Sequence, residues 1–135
     1  MQGLAEKLKK YRIGVLAGGC SKEREISLKS GKAVFDALFS AGVDAIFIDI
    51  EEETDSFIEE FDFDVAFIAL HGGFGENGTV QRMLEDKKIP YTGSGPEASR
   101  LAFDKLLSKK LLKLLIMFRL SSSLYYFLQS KWFFP

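Results

Sequence analysis

The sequence predicts one α/β domain in which a mainly parallel sheet carries helices on both faces. Three observations favour this fold class: short apolar runs recur along residues 1–112, segments with helical spacing separate them, and glycine-rich turns follow several runs. Apolar runs without polar alternation are typical of parallel strands that are buried on both faces. The length of 135 residues suits one domain of ordinary size and is too short for two large ones.

The first strand–helix–strand unit is predicted between residues 12 and 50. Arg12–Ala17 is an apolar run that ends at Gly18-Gly19, as a buried parallel strand does at a turn. Apolar residues then recur near helical spacing from Ile26 to Ala41, and Gly42 is expected to cap the carboxyl end of that helix. Ala45–Ile50 is the second predicted strand. A helical crossover of this kind joins parallel neighbours in one sheet.

The same alternation continues through the rest of the chain. The predicted elements are, in order, a short helix around Phe57 within Glu51–Glu60, a strand at Val65–Leu70, a helix at Thr79–Lys87, a brief strand at Ile89–Thr92 and a helix from Pro96 to Leu111. Pro96 suits the first turn of the last helix, where no backbone N–H is needed.

Composition and charge exclude several classes of protein. Eighteen Lys+Arg against nineteen Asp+Glu give a formal net charge of −1, so the chain has no basic footprint for nucleic acid. One cysteine, Cys20, excludes an internal disulfide framework and a cysteine-rich zinc site. Residues 1–11 are charged and lack the apolar core of a secretory signal. These features predict a cytoplasmic globular protein.

Three glycine-rich segments follow predicted strands: Gly18–Glu25, His71–Gly78 and Thr92–Gly95. In open parallel sheets ligands bind outside the carboxyl ends of the strands, so these segments are expected to converge on one small-molecule site. Strand-to-helix turns need glycine in any case, which is the alternative explanation for each segment alone. The first segment lacks the later glycines of a dinucleotide fingerprint, and no G-K-[ST] follows, so a dehydrogenase and a Walker loop are disfavoured.

Several of these runs resemble the D-alanine–D-alanine ligase family. Gly18–Gly31 is similar to the opening loop of that family, and Ala69–Gln81 resembles its H-G-x-x-G-E-[DN]-G signature. Pro90–Gly95 and Phe103–Lys105 resemble two further family stretches in the right order. Arg82 departs from the pattern, because the family usually has a small residue there. The resemblance implies a Rossmann-like pre-ATP-grasp domain over residues 1–112.

The resemblance also implies an activity, which is ATP-dependent ligation in peptidoglycan synthesis. In that family ATP phosphorylates the carboxylate of a first D-alanine, and the amine of a second D-alanine attacks the acyl phosphate. Magnesium or manganese and cationic side chains offset the charge, and later ATP-grasp subdomains hold nucleotide and metal. The N-terminal domain contacts the first D-alanine and is expected to form a homodimer.

Carried over residue by residue, the resemblance assigns Glu23 to the ammonium group of the first D-alanine and His71 to orienting that substrate or relaying a proton. Glu76 would hydrogen-bond to His71, and Ser21 would join the hydrogen-bond network of the first loop. Lys105 matches a lysine that reaches ATP phosphate. Each of these residues also has a simpler structural interpretation. Glu23 would complement a helix dipole, His71 would be a structural hydrogen-bonding residue, Ser21 a turn serine and Lys105 a solvated lysine.

The last part of the chain has a different composition. All nineteen acidic residues lie at or before Asp104, whereas residues 113–135 hold seven aromatic residues and the charges Lys113, Arg119 and Lys131. We interpret this aromatic-rich tail as the product of a frameshift or truncation, with the ATP-grasp domain absent. On that reading the chain binds no cofactor tightly, holds no metal and is inactive alone. A membrane anchor is disfavoured because Arg119 and serines interrupt the apolar run, and a non-catalytic amino-acid-binding or dimerisation module is the alternative function.

Overall fold

The computed structural model describes residues 6–117 and confirms an α/β fold with a parallel sheet. Its strands and helices, labelled in chain order, are β1 (Ile13–Gly18), α1 (Arg24–Ser40), β2 (Ala45–Ile50), α2 (Ser56–Glu60), β3 (Val65–Ile68), α3 (Gly73–Glu76), α4 (Thr79–Asp86) and α5 (Pro96–Phe103). The first three predicted strands therefore form, with ends that differ from the prediction by at most two residues. The four-residue helix α3 was not predicted, because it is too short to show helical periodicity.

The three described strands lie in the order β2-β1-β3, with β1 in the centre. Both pairs are parallel, and Ile13 of β1 stands opposite Ala45 of β2 and Val65 of β3. Every residue of β1 is buried, as expected for a central strand whose two faces are both covered. The carboxyl ends of all three strands consequently point to one edge of the sheet.

Helices cover both faces of the sheet, as the sequence predicted. Alternate residues of β1 point to opposite faces, so Val15 and Ala17 pack with the inner side of α1 while Leu16 packs on the other face. The second face is covered by buried side chains from the three helices α2, α3 and α4. They are Phe57, Phe74, Val80 and Leu84.

Gly31 determines how closely α1 approaches the sheet. A Cβ atom at this buried position would lie 2.5 Å from the Cβ of Ala17 and 3.2 Å from a ring carbon of Phe47. The Ala17 Cβ is attached directly to the backbone of β1 and cannot rotate away. The helix can therefore occupy its present position only if residue 31 has no side chain.

We expect Gly31→Ala to lower the free energy of unfolding, because overpacking a core costs about 1–3 kcal/mol. The gain in helix propensity from glycine to alanine, about 1 kcal/mol, offsets only part of this cost. Urea unfolding measures the change. Gly73→Ala is the matched control, because a Cβ at that helical position would meet no atom within 4 Å. Equal stability of the two variants would contradict the close approach.

The predicted fourth strand, Ile89–Thr92, is wrong as a strand: it forms only one isolated parallel bridge, between Tyr91 and Ala66. The Ala66 N–H donates to Pro90 O at 2.8 Å, and the Thr92 N–H donates to Ala66 O at 3.0 Å. The next amide of β3, Ile68 N–H, donates to the Thr92 hydroxyl at 3.1 Å instead of to a backbone carbonyl. The side chain of Thr92 thus ends the pairing after one bridge.

The chain divides into two compact units, Met1–Arg100 and Leu101–Pro135. In the second, the predicted continuous helix to Leu111 is wrong, because Asp104 interrupts it and residues 105–117 form a separate helical run. Asp104 Oδ1 accepts the backbone N–H groups of Leu106 and Leu107 at 2.9 and 3.0 Å, which is the role of an N-cap. The predicted domain boundary after residue 112 stays a prediction. Residues 118–135, which carry most of the predicted tail, lie outside the described residues.

Within residues 6–117, no helix combines the length and apolar character that a bilayer crossing requires. The last described turns are nevertheless apolar and exposed. Their exposed fractions range from 55% to 61% for Leu112, Leu114, Leu115, Ile116 and Met117. An exposed apolar stretch of this kind promotes association of a chain with itself or with other surfaces.

Ending the chain after Leu112 is therefore expected to raise its solubility and to leave the thermal midpoint unchanged or higher. The reason is that the removed residues 114–117 bury little apolar surface in the folded chain. Sedimentation and a thermal melt followed by circular dichroism measure the two effects. A chain ending after Met117 separates the contribution of the exposed turns from that of later residues. A clear fall in melting temperature on truncation would show that the removed segment stabilises the fold.

Candidate functional site

Two of the predicted loops meet at the carboxyl edge of the sheet. The first loop, residues 19–23, leaves β1, and the His71 loop, residues 69–72, leaves the neighbouring strand β3. Because the two strands are parallel neighbours, both loops emerge on the same side. The third loop, Thr92–Gly95, follows the parallel bridge of Tyr91 to Ala66 and so leaves at the same edge, beyond β3.

Ser21 joins the first loop to the His71 loop. Its hydroxyl donates to the backbone oxygen of His71 at 2.9 Å and accepts the N–H of Glu23 at 3.1 Å. One side chain therefore sets the positions of the two residues that the sequence singled out. Ser21 thus takes part in hydrogen bonds between the loops, and its contact with the Glu23 N–H is also that of a turn serine.

Gly72 allows the two loops to come close. Its φ of +78° is in the left-handed region, which residues with a Cβ rarely adopt. A Cβ at this position would lie 2.8 Å from the Cβ of Ser21 and 3.2 Å from Oε2 of Glu23. The Glu23 carboxylate thus lies beside the Gly72 backbone, on an exposed side chain at the N-cap position of α1, without a side-chain capping hydrogen bond.

The half-exposed imidazole of His71 has two neighbours. Nε2 lies 3.2 Å from the Ser30 hydroxyl, and Nδ1 lies 3.9 Å from Oε1 of Glu76. The second distance suits an ion pair but is too long for a hydrogen bond, so the predicted hydrogen bond between His71 and Glu76 is wrong. Glu76 is the last residue of α3, and that unpredicted helix determines where its carboxylate lies.

Ser27 links the two strands that carry the loops. Its fully buried hydroxyl accepts the N–H of Gly18 at 2.9 Å and donates to the carbonyl of Ala69 at 2.8 Å. These groups lie just beyond the end of the β1–β3 ladder, where a side chain replaces the direct backbone bond. Sequence reasoning missed both Ser27 and Ser30. Helical spacing was the available signal, because Ser27 lies four positions before Gly31 and three positions before Ser30.

Arg24 connects the start of α1 to the end of β2. Its guanidinium donates to Asp49 Oδ2 at 2.8 Å and to Ile50 O at 3.1 Å. The side-chain hydrogen bond with Asp49 raises the pKa of Arg24. Asp49, at the place where a dinucleotide fold carries its acidic residue, is thus already paired within the chain.

Two further residues named by the sequence, Lys105 and Cys20, make no contact with Glu23 or His71 among the hydrogen bonds and ion pairs of the described residues. Lys105 belongs to the second unit and is exposed at the start of the helical run 105–117. Cys20 is exposed in the first loop, and its sulfur lies 3.1 Å from Glu51 O. In the part of the chain that the structure describes, no group of three or more His, Cys, Asp or Glu side chains could hold a metal ion.

Similar proteins place this geometry in context. A family model described as the D-ala D-ala ligase N-terminus matches residues 12–62 and 52–94. A curated D-alanine–D-alanine ligase of Geotalea uraniireducens is 51% identical over 105 residues, covering 78% of this chain and 34% of that protein. The corresponding ligase of Citrifermentans bemidjiense is 54% identical over 104 residues, covering 77% and 34%.

The fold agrees with solved structures as well. The crystal structure of D-alanine–D-alanine ligase from Bacillus anthracis complexed with ATP matches with a TM-score of 0.71 and 39% identity, covering 77% of this chain and 36% of that chain. The chain spans about a third of the length of the curated relatives it matches. The family model covers more than half of the chain and describes the N-terminal domain of these ligases. This chain therefore belongs to the D-alanine–D-alanine ligase family.

Proposed function

We propose that this chain supplies the first-D-alanine half-site of an ATP-dependent D-alanine–D-alanine ligase in cell wall synthesis. The observation that carries the proposal is the junction of two loops. Ser21 donates to the backbone of His71, and Gly72 brings its own backbone beside the Glu23 carboxylate. A carboxylate and an imidazole are thereby held at one edge of the sheet, where ligands of parallel α/β folds bind.

The chemistry of these two side chains suits an amino-acid substrate. The exposed Glu23 carboxylate can accept charge-assisted hydrogen bonds from an ammonium group. The imidazole of His71 can orient the substrate or relay a proton. Glu76, 3.9 Å from His71 Nδ1, adds a second carboxylate beside the imidazole.

The parts of a full-length ligase outside this chain would bind the ATP that drives the reaction. ATP, when bound, would phosphorylate the D-alanine carboxylate. The Bacillus anthracis relative was solved with ATP. Lys105 remains the residue of this chain proposed to reach ATP phosphate, and its side chain is exposed. The homodimer and the cytoplasmic location also stay predictions.

The 135-residue polypeptide by itself is expected to form no D-alanyl-D-alanine, whereas a fusion of residues 1–112 to the remaining two thirds of a curated relative is expected to be active. The reason is that the match to those relatives covers 34% of their length, and the rest would hold nucleotide and metal. Phosphate release from ATP in the presence of D-alanine and magnesium measures the activity of the polypeptide and that of the fusion.

The matched control is the intact relative, assayed beside the fusion. Activity of the polypeptide alone above background would contradict the half-site. An inactive but folded fusion that still binds D-alanine would favour the alternative, a non-catalytic amino-acid-binding module.

A further inference from the structure

His71 is the single histidine of the sequence, and each ring nitrogen has its own neighbour. The Ser30 hydroxyl lies 3.2 Å from Nε2, and the Glu76 carboxylate lies 3.9 Å from Nδ1. A neutral imidazole carries one proton, so one nitrogen donates and the other has a free lone pair. The tautomer therefore decides on which side His71 can take up a further proton.

The surroundings of Ser30 favour one tautomer. Its hydroxyl has a single proton and lies 3.0 Å from Ile26 O and 3.0 Å from Ser27 O, both nearer than Nε2. A serine within a helix commonly donates to a carbonyl of the preceding turn. Once the proton is shared between these carbonyls, Oγ faces the imidazole with a lone pair and requires a donor there.

We propose that Ser30 is a positioning residue for His71. Its oxygen accepts the Nε2–H of the imidazole, which fixes the ring and leaves Nδ1 unprotonated on the side of Glu76. A proton taken up at Nδ1 then faces the Glu76 carboxylate, which suits a residue that receives a proton during a reaction. This use of the tautomer rests on the proposed function, but the tautomer itself is a property of the chain.

A second contact supports the positioning role. Ser21 holds the backbone oxygen of His71 at 2.9 Å, so the residue is fixed at its main chain by the first loop and at its ring by α1. The side chain is still 38% exposed, which leaves part of the ring open to a ligand. A side chain held at both ends and open on one side is suitably arranged to act on a bound substrate.

The test is a long-range proton–nitrogen correlation spectrum of the full, nitrogen-15-labelled chain, at a pH where the ring is neutral. A single histidine contributes a single set of ring signals, which distinguishes the two tautomers. We expect the Nε2–H tautomer to predominate in the unsubstituted chain and in Ser30→Thr, which keeps the hydroxyl. Ser30→Ala should show a mixture of both tautomers. Ser40→Ala, which changes an exposed serine of the same helix, should give the same spectrum as the unsubstituted chain.

An unsubstituted chain in which the Nδ1–H tautomer predominates would overturn the proposal. An Ser30→Ala spectrum identical to that of the unsubstituted chain would overturn it as well. Alanine is the best helix former, so Ser30→Ala should keep its fold, and the unsubstituted chain provides a test that needs no variant. The spectrum needs neither D-alanine nor ATP, so a failure of the ligase assay and a failure of this proposal are separate results.

Discussion

Replacing Ser27 by alanine should lower the free energy of unfolding by about 2–6 kcal/mol, because two buried groups lose their partner at about 1–3 kcal/mol each. The groups are the Gly18 N–H and the Ala69 carbonyl, which the Ser27 hydroxyl contacts at 2.9 and 2.8 Å. The side chain is fully buried, so water cannot replace it without opening the edge between the two strands. Urea unfolding followed by circular dichroism measures the loss.

Two further variants separate hydrogen bonding from packing. Ser27→Cys nearly keeps the size of the side chain but replaces the hydroxyl with a weak donor and acceptor, so an intermediate loss is expected. Ser40→Ala changes an exposed serine of the same helix and should leave stability almost unchanged. If Ser27→Ala were no more destabilising than Ser40→Ala, the bridge between the strands would contribute nothing to stability.

The largest expected effect on function is that of Glu23→Gln in the active fusion. First-site D-alanine binding should weaken by about 1.5–3 kcal/mol, the range for a hydrogen bond to a charged group. That loss corresponds to roughly a 10- to 150-fold rise in the dissociation constant. The carboxylate beside Gly72 loses its charge while the shape of the side chain is kept. Calorimetric titration with D-alanine measures the change.

Glu25→Gln is the matched control for charge at the start of α1. Glu25 lies in the first turn of the same helix and is exposed, so it shares any role in complementing the helix dipole. The proposed contact predicts a large effect for Glu23→Gln and a small one for Glu25→Gln and Ser40→Ala. Equal effects of the two glutamates would support the dipole explanation, and an unchanged affinity in Glu23→Gln would remove the proposed ammonium contact.

Much of the fold could be predicted because burial of strands on both faces leaves a direct mark on the sequence. The run at β1 is apolar for that reason, the half-buried runs at β2 and β3 are largely apolar as well, and parallel pairing follows from the helices between them. The sequence did not show that the predicted fourth strand would pair at only one bridge. Its pairing stops because the Thr92 side chain takes the Ile68 N–H, and such competition leaves no periodic pattern.

For the site, the sequence could predict only the edge of the sheet at which it lies. Glu23 and His71 follow neighbouring parallel strands, so their loops had to leave the same edge. The distance from His71 to Glu76 depends on α3, a helix of four residues that has no repeat to detect. The Asp104 break, in contrast, could have been predicted, since aspartate is among the preferred N-cap residues.

Three small residues of α1, Ser27, Ser30 and Gly31, connect packing to the site. Gly31 determines the distance of the helix from Ala17, while the two serines hold the strand ends and the His71 ring. Core and site therefore share one helix, so changes in either are expected to be thermodynamically coupled. Free energies of variants on this helix should not add, as is usual for residues within one packed element. A side chain at residue 31 would push the helix away from Ala17, and both serines would move with it.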